Sequence, residues 1–254
     1  MSNPFANLKT QGLEQSEDRL GGGFQARDSG AYDMKVKVAY AGTSDGGAHS
    51  VTIHLVDSKG EYRETIYITN KNGENFFLNK DDKTKKVPLP GFTVINDICM
   101  MTTEQPLCDQ VWEEKTVNLW DNDLKKEVPK AVMVCTSILD KEVTVGLLQT
   151  LKNKGVKQPD GSYADGPEER TEVNISKVFH TETKYTMAEA IAGAQTADFY
   201  QKWVDKNTGA VIDKRSVKNG AAGKPAGGPP QAGGAPAAGG GATAPGKSLF
   251  GKGK

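Results

Sequence analysis

Between Tyr62 and Lys86, rings and cations are interleaved: Arg63, Tyr67, Lys71, Phe76, Phe77, Lys80, Lys83, Lys85 and Lys86. Flat rings stack on flat ligands, and ammonium groups follow a line of phosphates. A groove for a single strand of nucleic acid needs both, and each stacked base contributes roughly 1–3 kcal/mol. Trp112 and Trp120 are further rings able to stack. A second stretch, Gly241 to Ser248, reads GATAPGKS and fits the phosphate-loop pattern G-x-x-x-x-G-K-[ST] letter for letter. Such a loop must leave a buried strand and open a helix, so that its N–H groups converge on phosphate. Here PAAGG precedes it and LFGKGK follows, and neither makes such an element. The match is one of composition, and an ATP-dependent factor is the weakest reading of the chain.

Other chemistry is sparse. His49, His54 and His180 are the only histidines, and His49 and His54, five apart on an expected strand, point to opposite faces. No zinc spacing, carboxylate cluster or nucleophile–base order can be read, so no catalytic residue, metal or cofactor is expected and the chain is read as a non-enzyme. Cys99, Cys108 and Cys135 contain no C-x-x-C pair and read as buried, reduced thiols. No run of 18 apolar residues is present, and the first 20 residues lack a secretory layout, so no membrane partner is expected.

The elements that must position the rings are strands. AYDMKVKVAY, HSVTIHLV and EYRETIYIT alternate with a step of two and are joined by short polar turns, which predicts an antiparallel meander. The alternation puts Val36, Val38 and Tyr40 on one face, then Val51, Ile53 and Leu55, then Tyr62, Ile66 and Ile68. Arg63 and Tyr67 fall on the face opposite Ile66. Residues 70–91 read as a long hairpin or loop, with one of Phe76 and Phe77 tucked beneath it. A helix follows in FTVINDICMMT, then strands in EKTVNLW, KAVMVCTSI, EVTVGLLQTL and TEVNISKVFH, the last two separated by a turn-rich insert. Thr186 and Glu189 form a capping box, and a final helix in TADFYQKWVDKNTG buries Trp203 and stops at Gly209. The expected fold is mainly β with a few helices: an OB-like antiparallel barrel with insertions over 31–213, preceded by an arm, 1–30.

From Lys214 onward there are seven cations and no acid, so the zero net charge divides into a body of −7 and a tail of +7. The tail, 214–254, is Gly-, Ala- and Pro-rich and reads as a disordered linker ending in KSLFGKGK. An acidic body also suits a non-enzymatic β-barrel adaptor for a protein or RNA partner.

IYITNKNGENFFLNKDD, VPLPGF, KKEVP, GPEERTEVNISKVF, AGAQTADFYQKW and KSLFG, in this order, resemble the single-stranded DNA-binding proteins of short-tailed bacteriophages. The resemblance runs from NPFANLKT to the last residues. It implies an OB-type fold, coating of single-stranded DNA in phage replication, recombination and repair, and a place in the cytoplasm of an infected bacterial host. It also implies that Tyr67 stacks on bases and that a C-terminal tail recruits replication, recombination or RNA polymerase proteins. Many such tails are acidic. This one is basic, so Lys247, Phe250, Lys252 and Lys254 are expected to meet an acidic partner surface, with Phe250 as anchor.

Overall fold

A computed structural model describes residues 26–121 and 123–216. The phosphate-loop match and Lys247, Phe250, Lys252 and Lys254 lie outside the described residues, as does most of the expected N-terminal arm and C-terminal tail. The described chain is mainly β. Strands β1 (Gly30–Thr43), β2 (His49–Asp57) and β3 (Gly60–Tyr67) form the expected antiparallel meander. Next come β4 (Phe76–Leu78), β5 (Lys86–Pro88), α1 (Pro90–Thr103), β6 (Trp112–Asp121) and β7 (Lys126–Cys135). The chain closes with β8 (Glu142–Lys157), β9 (Tyr163–Phe179), α2 (Met187–Ile191), α3 (Asp198–Asn207) and β10 (Val211–Asp213).

The meander continues through β1 into β8 and β9, giving the order β3-β2-β1-β8-β9. The first half of β1 pairs with β8, and Tyr40 in its second half pairs with Val134 of β7. Where β1 has left β8, β10 takes its place in parallel. Met34, Val36, Val51, Ile53, Leu55, Val143, Val145 and Leu147 fill the core, and α1 covers it with Ile95, Ile98, Cys99 and Met101. Cys99 and Cys135 are buried free thiols, but Cys108 is exposed, because the short 3-10 turn that carries it buries only Leu107.

One face assignment is corrected by a β-bulge. The register of β1 on β2 shifts between Val36 and Val38, leaving Lys37 as the extra residue. Val36 pairs with Leu55 on the core side, whereas Val38 pairs with His54 and Tyr40 with Thr52 on the outer side. His49 and His54 do lie on opposite faces. Tyr40, Thr52 and His54 are nevertheless buried. Glu127, near the far end of the β6–β7 hairpin, helps raise the pKa of Lys37, behind the effect of Glu61. Half-buried Val117, Leu119, Val128 and Val132 share one side of the β6–β7 hairpin.

The turn-rich insert between the last two long strands is instead an extended hairpin. β8 and β9 stay paired out to Lys157 and Tyr163, with a register irregularity between Asn153 and Gly155. The sheet is open among the described residues: no backbone ladder joins β3 to β9. The carboxylate of Glu64 spans the gap. It accepts from the Ile175 amide at 2.8 Å, Asn174 Nδ2 at 2.9 Å and Tyr62 Oη at 2.7 Å. Burial raises the Glu64 pKa, and the three donors oppose that rise. A cavity of about 1350 Å³ lies along this seam, lined by Arg27, Tyr32, Lys59, Arg63, Glu64 and Asn174 among others.

Arg27 makes a two-pronged ion pair with Asp57 at 2.7 and 2.8 Å, so the chain is fixed to the sheet three residues before β1. At the other end Ser216 still bonds to Asn153 and Asp165. The capping box is present, and the Glu189 carboxylate also accepts from the Phe199 amide, so one side chain caps α2 and steadies α3. Trp203 is buried against Gly146: a Cβ on Gly146 would come within 2.7 Å of the indole.

Asp97 of α1 is mostly buried beneath β9, and burial pushes its carboxyl up to about 6, opposed only by Lys177. An unfolded aspartate titrates near 3.9. The folded state thus binds the proton more tightly, and this contribution to stability is complete below about pH 4 and lost as pH rises through 6. Asp97→Asn should therefore stabilise the protein by about 1–3 kcal/mol at pH 7.5 and by almost nothing at pH 4. Urea midpoints at the two pH values decide it, and an equal gain at both would refute it.

Candidate nucleic-acid interface

The candidate residues lie on β3 and on the hairpin that follows it. Ile66 is buried and Tyr67, next along the strand, is 52% exposed, as the alternation requires. The end of β3 is fixed from below. Pro90 opens α1 and Gly91 lies so close that a Cβ there would fall 2.1 Å from the Tyr67 carbonyl oxygen. Tyr67 is therefore presented from a backbone held by both β2 and α1. Arg63 is exposed on the same outer face and donates from Nη2 to Tyr40 Oη at 3.2 Å. Tyr40 has this role because of the bulge in β1, a long-range register effect that alternation alone does not reveal.

Beyond Tyr67 the hairpin is built from side-chain turns. The Asn70 amide oxygen accepts from the amides of Asn72 and Glu74, and that of Asn79 from Asp81 and Asp82. Asp82 accepts from Thr84 and pairs with Lys85 at 3.3 Å. These bonds explain why NKNGE and NKDDKT are so polar: each Asn or Asp stands in for a backbone acceptor and shapes the turn. The small ladder β4–β5 then sets Phe76 across from Pro88 and Phe77 across from Val87. Phe76 is half-buried and Lys86 Nζ sits 4.2 Å from the centre of its ring. The exposed ring is Phe77.

So the candidates divide. Tyr67 and Phe77 have free ring surface. Lys71, Lys80 and Lys83 are exposed and carry no ion pair among the described residues. Phe76 and Lys86 satisfy each other, Lys85 is shared with Asp82, and Arg63 is steered by Tyr40. Residues 70–89 hold five lysines against Glu74, Asp81 and Asp82, so this hairpin is positive on a body that is negative.

Two features escaped the sequence reading. Tyr163, 70% exposed near the turn of the β8–β9 hairpin, lies in a stretch read as mere turn. Trp112 is no free stacking platform. With Met133, Ile68, Leu107, Val51 and Ala41 it lines an apolar pocket of about 460 Å³ at the end of the sheet. Trp120 is the exposed tryptophan. No group of three or more metal-ligating side chains comes together among the described residues.

The chain matches no known protein-family model, no curated protein and no solved structure. Its functional reading therefore rests on the residues and geometry above.

Proposed function

We propose that this protein coats single-stranded DNA without strong sequence preference and has no catalytic activity. The observation that carries the reading is Tyr67: a ring with half its surface free, on a strand end held from two sides, followed directly by the unpaired Lys71 and the positive hairpin with Phe77. Stacking needs the first and backbone tracking the second. In this reading β3-β2-β1-β8-β9 is an OB-type barrel whose last seam is bridged by Glu64 instead of a ladder. The basic tail recruits replication, recombination or RNA polymerase proteins in the cytoplasm of an infected bacterial host, as the bacteriophage resemblance implies.

The test is titration with oligo-dT of graded length at several salt concentrations. Affinity should rise with length and fall with salt at a slope of about −0.7 per neutralised phosphate. Binding to duplex as tight as to oligo-dT would overturn the reading. A non-enzymatic adaptor for protein or RNA is the second reading. It is favoured by the −7 body and by exposed Trp120 and Leu124 on the β6–β7 hairpin, and it predicts no shift of oligo-dT in a gel.

A further inference from the structure

We infer that the cavity along the seam between β3 and β9 is the seat of the chain's own N-terminal arm, with Gly21 to Gln25 lying in it and the ring of Phe24 against Val173. Two strand edges meet this cavity with no strand between them. Among the described residues β3 pairs only with β2, and β9 only with β8. Each therefore turns N–H and C=O groups without a ladder partner toward the seam. What crosses the seam comes from side chains: besides the bonds of Glu64, Tyr62 Oη lies 3.0 Å from the Val173 carbonyl oxygen. At about 1350 Å³ the space exceeds the roughly 300–1,000 Å³ of a small-molecule site, so it has room for a short stretch of chain. Its walls are mixed, with Tyr32, Tyr62 and Val173 beside Arg63, Glu64 and Thr171. Such a lining suits backbone with one apolar side chain better than a wholly apolar ligand.

The arm joins the body inside this cavity. Ala26, Arg27 and Asp28 are part of its wall. Arg27 is held there by Asp57 and by the Gly60 carbonyl at 2.7 Å, and the Asp28 carbonyl accepts from Tyr32 Oη at 2.8 Å. Phe24 stands two residues before Ala26, so their Cα atoms are at most about 7 Å apart. The ring cannot travel far from the cavity, and an extended backbone puts it on the side of Ala26. The same short tether decides whose arm enters. A neighbour's Phe24 could reach the seat only by bringing its own body along, and Ala26 of the resident chain already stands in the wall. Gly21, Gly22 and Gly23 come next toward the N-terminus. Without side chains they can approach strand edges that a bulkier run would crowd. Seated in this way the arm covers both edges and keeps them from pairing with a second copy.

Val173 gives a direct readout. The full chain is labelled with ¹³C at its valine methyls and studied dilute and free of DNA. Val173→Ile removes the Val173 methyl signals from the spectrum and so assigns them. Ring protons of Phe24 should show nuclear Overhauser contacts to these methyls in the wild-type chain. Phe24→Ala should abolish the contacts and shift the Val173 signals, while those of Val51 and Val143 in the core stay in place. Absence of the contacts, or Val173 signals unmoved in Phe24→Ala, refutes the inference. So do contacts that appear only at high protein concentration, which would assign the ring to a neighbouring copy. Light scattering reads the protective role: Phe24→Ala should self-associate at concentrations where the wild type does not, and equal masses would overturn that role. Because the measurements contain no DNA, their outcome is independent of whether the protein binds single strands.

Discussion

Replacing Tyr67 by alanine should weaken binding to oligo-dT by about five- to 150-fold, the equivalent of roughly 1–3 kcal/mol for one stacked base. The fold should not change, since half the ring faces solvent and the strand beneath is held through its backbone. Phe76→Ala is the informative companion. Both are aromatic residues of the same basic segment, but the Phe76 ring is already engaged by Lys86. It should lose much less affinity and cost some stability instead. Fluorescence titration of both variants, with thermal midpoints measured in parallel, separates the two roles. Equal losses of affinity would mean that the rings act only as general apolar surface, and the assignment of Tyr67 would fall.

Gly91→Ala should destabilise the protein by roughly 2–3 kcal/mol. The sign is the telling part. Alanine in place of glycine in a helix ordinarily favours folding by up to about 1 kcal/mol. Here the added methyl would lie 2.1 Å from the Tyr67 carbonyl oxygen and 2.9 Å from Ile66 Cγ2, so α1 and the end of β3 must part. A urea midpoint that falls with an unchanged m-value would confirm it. An unchanged or raised midpoint would show that α1 can slide without loss. Because the residue pressed upon is Tyr67, the variant should also bind oligo-dT less well than its stability alone accounts for.

Much of the scaffold was legible in the sequence. The meander, α1, the capping box, the burial of Trp203 and the exposure of Tyr67 all follow from short-range patterns that packing then respects. What was missed depends on partners distant in sequence. The outer hairpin of β8 and β9 is exposed on both faces, so it shows no alternation of polar and apolar residues and reads as a turn. The seam is held by the Glu64 side chain: alternation sets Glu64 on the core face with Tyr62 and Ile66, but its partners Asn174 and Ile175 are 110 and 111 residues further along the chain. Within the candidate interface, composition placed the rings and lysines in one segment. It did not show that Lys86 covers Phe76, because a cation over a ring and a cation beside it have the same sequence.

The bulge at Lys37 limits how this chain can vary in length. Upstream of it Val36 faces the core, and downstream Tyr40 faces outward to meet Arg63. Loss of Lys37 would remove the bulge and leave Val36, Ala39 and Tyr40 on their present faces, whereas a second residue lost from β1 would turn every later side chain over, sending Tyr40 inward and Ala39 outward. Insertions and deletions at the turn Ser44–Ala48 alter only a loop, whereas in β1 the bulge can absorb the loss of one residue and no more. Among homologous chains, the spacing from Met34 to Tyr40 should therefore be either the present one or one residue shorter, with the bulge gone.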